Sequence, residues 1–190
     1  MSKFVLIDGH SILNRAFYGV PIFTNSEGLH TNAVFGFLNI MFKIIDSKQP
    51  DYMAVAFDVH QPTFRHEMFK DYKGTRKPMM EELREQVPVI KELLQKMNIT
   101  TVELPGYEAD DVIGTLSKKG EKAGMEVDVI SGDRDLLQLA SDHITICIPK
   151  TKKGQTTVEE YNTEGVMKLY KVTPTEFIDV KALMGDSSDN

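Results

Sequence analysis

The apolar runs of this chain end in acids, and that pattern constrains the fold more than any other feature. Phe4-Val5-Leu6-Ile7 runs into Asp8, and Met53-Ala54-Val55-Ala56-Phe57 runs into Asp58. Thr101-Val102-Glu103-Leu104 precedes the group Glu108-Ala109-Asp110-Asp111, and Val127-Asp128-Val129-Ile130 precedes Asp133-Arg134-Asp135. Ile144 to Ile148 makes a fifth run. Short, strongly apolar segments of this kind read as buried strands. Between them the spacing turns helical, with Val34, Leu38, Met41 and Ile45 on one face and Val89, Leu93, Leu94 and Met97 on another. A third helical pattern runs from about Glu108 through Val112, Ile113 and Leu116 to the stretch between Gly120 and Gly124. Strands alternating with helices predict an α/β domain with a mainly parallel central sheet flanked by helices. Such sheets bind ligands beyond the carboxyl ends of their strands, where these acids fall.

The 190 residues, 41% of them hydrophobic, suit one domain spanning 1–190 with a substantial core. The apolar run before Asp8 is too short for a signal peptide, and no later run approaches the ~20 residues of a membrane span. A cytoplasmic protein with no membrane partner is expected. The single cysteine, Cys147, sits in the run Ile144 to Ile148. It is expected as a buried structural thiol, and one cysteine allows no internal disulfide.

Nine carboxylates make up the clusters: Asp8, Asp58, Glu108, Asp110, Asp111, Asp133, Asp135, and finally Asp186 and Asp189 in Gly185-Asp186-Ser187-Ser188-Asp189-Asn190. Each has a plain structural reading, since Asp110 and Asp111 suit the first turn of a helix and Asp133 suits an N-cap. Gathered in one pocket, however, they would repel one another without cations. Hard divalent ions such as Mg²⁺ take carboxylate ligands, and pairs of them form the usual machinery for cutting phosphodiesters. The net charge of −6 argues against a nucleic-acid partner only while the acids count as surface. The 28 acids less these nine leave 19, against 22 lysines and arginines, so the rest of the chain stands at +3.

Two stretches read as irregular. Residues 60–78 are polar and basic, with Arg65, Lys70, Lys73, Arg76 and Lys77 against Glu67 and Asp71, together with Phe64, Phe69 and Tyr72. Cations neutralise phosphates and aromatic faces stack on unpaired bases, so this stretch is expected as an arch over the site or as an ordinary charged loop. Lys150 to Gln155 reads as a basic turn between two strands. The histidines His10, His30, His60, His66 and His143 show no ligand spacing and are expected as surface or local hydrogen-bonding residues.

The order of Ile7-Asp8-Gly9, Ala56-Phe57-Asp58, Tyr72-Lys73-Gly74-Thr75-Arg76, Pro105-Gly106-Tyr107-Glu108-Ala109-Asp110-Asp111, Ser131-Gly132-Asp133-Arg134-Asp135 and Lys181-Ala182-Leu183-Met184-Gly185-Asp186-Ser187-Ser188-Asp189-Asn190 resembles the bacterial 5′-3′ exonucleases of the flap endonuclease superfamily. The likeness is greatest to the nuclease domain at the N-terminus of DNA polymerase I and covers essentially the whole chain. It implies a PIN-like fold with a basic arch at about 60–80. The implied activity is a structure-specific nuclease of replication and repair that acts on DNA with 5′ flaps or nicks and on RNA primers, leaving 5′-phosphates.

The resemblance also assigns residues. Asp8, Asp58, Glu108, Asp110 and Asp111 would surround a first metal, Asp133 would lie between two metals, and Asp135, Asp186 and Asp189 would surround the second. The ions would be magnesium, or manganese in its place. Lys73 and Arg76 match residues at the scissile phosphate, and Tyr107 matches an aromatic stacking near the cleaved nucleotide. Arg15, Arg65, Tyr72 and Lys181 would add nucleic-acid contacts. The chain is expected to act as a monomer, with a polymerase domain following it in a parent chain. Family members continue into a helix-hairpin-helix region, which is absent after Asn190. A noncatalytic nucleic-acid-binding fragment and a metal-dependent phosphohydrolase of small substrates are the alternatives.

Overall fold

The computed structural model describes residues 1–152 and 155–185, so the expectations placed on Asp186 and Asp189 lie outside the described residues. The strands are β1 (Lys3–Asp8), β2 (Tyr52–Ala56), β3 (Thr100–Val102), β4 (Glu126–Ile130), β5 (Ile144–Lys152) and β6 (Gln155–Tyr161). They form one sheet in the order β3-β2-β1-β4-β5-β6. All neighbours pair in parallel except β5 and β6, an antiparallel hairpin running from Ile146 opposite Tyr161 to Lys152 opposite Gln155. The helices are α1 (Gly9–Gly19), α2 (Asn32–Lys48), α3 (Phe64–Met68), α4 (Glu81–Arg84), α5 (Gln86–Lys96), α6 (Ala109–Lys122), α7 (Thr163–Tyr170) and α8 (Phe177–Met184). The leucines after Asp133 form a 3₁₀ turn, Asp135–Leu139, rather than a full helix.

Alternation along the strands builds a core on each face of the sheet. Val5 and Ile7 of β1 face one way, into a cluster with Ile12, Phe17, Phe37, Ile44 and Ile90 of α1, α2 and α5. Leu6 faces the other way, with Val112 and Ile113 of α6 and Val127 and Val129 of β4. Two inward faces explain why the strands read as nearly continuous apolar runs. The three foreseen helices are α2, α5 and α6. Helix α1 was not anticipated, because it begins at Gly9, the residue after β1, with no turn to announce it. Gly9 permits this: a Cβ there would lie 2.4 Å from the Phe57 ring.

The chain after β1 leads toward β2, while β4 lies on β1's other side, so the strand order changes direction at the β1–β4 boundary. A crevice opens beyond the strand ends at such a point. Asp8 stands on one side of it and the Ser131–Asp135 segment on the other. Among the described residues no helix is long and apolar enough to cross a membrane.

Candidate active site

The acids are positioned by backbone caps and by one another's loops. Asp8 is the N-cap of α1: its Oδ1 accepts the N–H of Ser11 at 3.0 Å, and its Oδ2 accepts the hydroxyl of Ser131 at 2.7 Å. Ser131 is wholly buried, and its Oγ also accepts the N–H of Asp133 at 3.0 Å. Ser11 Oγ accepts the N–H of Gly132 at 2.8 Å. Asp133 Oδ1 takes the N–H of Asp135 at 2.8 Å. Asp58 Oδ1 takes the N–H of Ala109 at 2.7 Å, which ties the end of the β2 run to the start of α6. Glu108 and Asp111 form a reciprocal capping box around that start, with Asp111 Oδ2 accepting the N–H of Glu108 at 3.0 Å. The first-turn places expected of Asp110 and Asp111 are thus real, whereas the 3₁₀ turn after Asp133 takes Arg134 and not Asp133 as its N-cap; these bonds hold the acids at one opening.

That opening is a cleft of about 820 Å³ lined by Asp8, Asp58, Glu108, Asp110, Asp111, Asp133 and Asp135, with Arg65, Tyr72, Lys73 and Arg76 along one side. Burial pushes the Asp8 carboxyl up to about 6. Asp110 goes further, to about 8, through burial and then the charges of Asp8, Asp133, Asp58 and Glu108. Partial burial works to raise Asp58 as well, but His10 and the Ala109 N–H outweigh it and hold the group below its ordinary value. The Arg65 guanidinium does the same for Asp111.

The basic stretch comes down onto the acids instead of standing clear above them. Arg65 makes a two-point pair with Asp111 at 2.7 and 2.8 Å. Lys73, in a left-handed turn (φ 56°), places its Nζ 2.7 Å from Glu108 Oε1, and the Tyr72 hydroxyl donates to Glu108 Oε2 at 3.2 Å. Burial works against the Lys73 charge, but the Glu108 bond prevails and raises its affinity for a proton.

The donor set suits hard divalent cations: it is all carboxylate oxygen, and Asp110 carries the unrelieved repulsion of four other acids. Among the described residues no three groups stand close enough to share one ion as they lie. Glu108 and Asp111 give their oxygens to Lys73 and Arg65 instead. A cation entering the cleft would compete with those two side chains for the same carboxylates.

The remaining expected residues lie at the margins. Tyr107 is about half exposed, stacks obliquely on Phe64 with ring centroids 5.7 Å apart, and lines a second cleft of about 390 Å³ that shares Asp58, Lys73 and Glu108 with the first. Arg15 lies on α1 near Gly132, and among the described residues its buried Nε has no hydrogen-bond partner. Lys181 on α8 pairs with Asp135 at 2.8 Å.

Reading the sequence missed His10, Ser11 and Ser131. His10 lines the cleft, and its Nδ1 accepts the N–H of Asp58 at 3.1 Å. His30, His66 and His143 make the local bonds expected of them, to Glu85, Thr63 and Glu126. The signal for Ser131 was its place immediately after a strand, within the motif that contains Asp133.

The chain matches the family model described as 5′-3′ exonuclease, N-terminal resolvase-like domain, over residues 3–171. It is 53% identical over 188 residues to DNA polymerase I of Bacillus subtilis (strain 168) and 52% identical over 188 residues to DNA polymerase I of Bacillus caldotenax. Each match covers 99% of this chain and 21% of the relative, so the chain spans about a fifth of the length of these curated relatives. Among solved structures, the bacteriophage T5 D15 flap endonuclease in a pseudo-enzyme-product complex with DNA and metal ions superposes with a TM-score of 0.75 at 25% identity. The zinc-bound T5 5′-exonuclease gives 0.76 at 24% identity. Both superpositions cover 99% of this chain and 68% of the other.

Proposed function

The chain belongs to the family of 5′-3′ exonuclease N-terminal, resolvase-like domains, and on that premise we propose that it is a structure-specific nuclease. It hydrolyses phosphodiesters of DNA at 5′ flaps and nicks, and of RNA primers, leaving 5′-phosphates in replication and repair. One observation carries the reading: seven acids from four separate segments line one cleft beside a basic, aromatic stretch. A small phosphate ester would need the acids but would leave that stretch without a purpose.

Asp8, Asp58, Glu108, Asp110 and Asp111 would hold one divalent ion, Asp133 would lie between two, and Asp135 with Asp186 and Asp189 would hold the second. Such ions, magnesium or manganese, supply Lewis acidity that eases proton loss from the attacking water and offsets charge on the departing 3′-oxygen. The protein's part is placement. The caps on Asp8, Asp58 and Glu108 fix the carboxylates before substrate arrives, so little reorganisation remains for the reaction. Lys73 and Arg76 face the same cleft and are suited to the nonbridging oxygens of the scissile phosphate. Lys73 reaches them by exchanging Glu108 for phosphate. Tyr107 offers an exposed ring for stacking on the adjacent base, with Arg15 and Lys181 as outlying phosphate contacts. The enzyme works as a cytoplasmic monomer, and a polymerase domain accompanies it in the parent chain.

The test incubates the chain with Mg²⁺ and a 5′-flapped DNA, a matched linear duplex and a generic phosphomonoester, beside Asp133→Ala. Flap cleavage that depends on Asp133 is the expected result. The reading fails if the flap stays intact even when the polypeptide that follows in the relatives is restored. Phosphomonoester hydrolysis without flap cleavage would favour a small-substrate phosphohydrolase.

A further inference from the structure

Beyond the acids, the same cleft continues along α6 and turns cationic. Helical spacing puts Asp111, Thr115, Lys118, Lys119 and Lys122 on one stripe of α6, and all five line the cleft, opposite Gln138 and Leu139 of the 3₁₀ turn. Gly114, also on the lining, keeps the floor low.

These lysines differ from the cations beside the acids. Arg65 and Lys73 are already committed to Asp111 and Glu108. Lys118 has a half-exposed pair with Glu121 at 3.1 Å, and among the described residues Lys119 and Lys122 have no ion pair. A position in the last turns of a helix suits lysine through the dipole, which accounts for the charge but not for its continuity with the acidic cleft.

We infer that this stripe is a phosphate track for the single-stranded 5′ arm of the substrate, carrying it away from the acids along α6. The inference rests on the nuclease reading above. Lys118 and Lys122 lie seven and eleven residues past Asp111, a rise of roughly 10 and 16 Å at ~1.5 Å per residue. An extended single strand spaces its phosphates more widely than the ~3.4 Å per strand of a duplex, so that span covers roughly the first two or three nucleotides of the arm. Arms shorter than this miss the lysines, and longer arms engage all three.

The test measures equilibrium binding of the wild type and of a combined Lys118→Ala, Lys119→Ala, Lys122→Ala variant in chelator, where no cleavage occurs. The ligands are a flapless nick and flapped DNAs whose arms end before Lys118 or pass Lys122. Alanine favours helix, and an unchanged unfolding midpoint checks the fold. A second variant, Lys43→Ala, Lys96→Ala, Lys168→Ala, removes equal charge from exposed positions on α2, α5 and α7. In the wild type, affinity rises with arm length. The track variant loses that rise, and for the long arm its salt slope falls by about 2, at ~0.7 per phosphate contact on a single strand, while the control variant keeps both. Equal arm-length dependence in wild type and track variant overturns the inference, as does an equal loss of affinity for the flapless nick. Binding in chelator stands apart from turnover, so failure of cleavage and failure of the track are distinguishable.

Discussion

A serine hydroxyl can donate once and accept, and buried Ser131 spends both capacities on the site, giving its proton to Asp8 and taking the N–H of Asp133. It is therefore the link between the end of β1 and the loop after β4, the two sides of the crevice. Ser131→Ala leaves Asp8 Oδ2 without its serine donor and the Asp133 N–H without its serine acceptor, at a stability cost of about 1 kcal/mol. Outer-shell partners of this kind typically matter by 10–100-fold for metal affinity. The expected result is Mn²⁺ affinity weaker by roughly 10-fold in calorimetric titration, with Ser131→Thr recovering much of it. Equal affinities for wild type and Ser131→Ala would remove Ser131 from the site's positioning. Lys73 offers the complementary case. Its contact with phosphate strengthens as charge develops, so Lys73→Ala should lower the single-turnover rate by roughly 100-fold while binding changes little. An unchanged single-turnover rate would leave Lys73 only the ion pair with Glu108.

At the scale of elements, α2 is capped from another helix. Thr31, its N-cap, makes no side-chain bond to the helix, and the carboxamide of Gln86 on α5 accepts the N–H groups of Ala33 and Val34 at 2.8 and 3.1 Å instead. Gln86 is fully buried and also donates to Asn32 Oδ1 and Glu82 O. Because α5 follows the basic stretch, this network fastens the end of that stretch to the helix pair α1–α2. Gln86→Leu would strand two buried N–H donors and should cost about 2–3 kcal/mol, read as a lowered urea midpoint with an unchanged slope. A cost within error of zero would mean that water takes over the cap. Nothing in the sequence announced this contact. Periodicity revealed α2, α5 and α6 because one face of each is apolar, and it revealed the strands because both faces of the sheet are covered. It could not reveal α1, whose start is an acid already assigned to the strand, nor Gln86 and Ser131, whose meaning lies in partners 53 and 123 residues away. The acids of the cleft were legible because each group ends or follows a strand; that Arg65 and Lys73 would close onto them was not, since cations and carboxylates from loops leave no periodic trace.

For the molecule as a whole, the site is a store of repulsion that the two apolar cores hold together. Asp8 and Asp110 titrate at about 6 and about 8 in the fold, against 3.8 for an ordinary aspartate. A group whose affinity for protons is higher in the folded state stabilises the fold while protonated, and that stability is lost as the pH rises through the folded value. In chelator, stability should therefore increase as the pH is lowered from about 8 toward about 4. Below the ordinary aspartate value of 3.8, Asp58 and Asp111, both held under it in the fold, lose their contribution as the unfolded chain takes up protons more readily, and stability falls again. Divalent metal acts oppositely across the upper window, because it binds the ionised carboxylates and competes with protons for them. The unfolding midpoint measured with and without saturating Mn²⁺ should differ most near pH 8 and converge toward pH 5. A gap that stays constant across this range would mean that metal binds away from Asp8 and Asp110. The Asp110→Asn variant separates the two contributions, since it should flatten the pH dependence in chelator while raising the midpoint at pH 8, a gain in stability at the expense of the site.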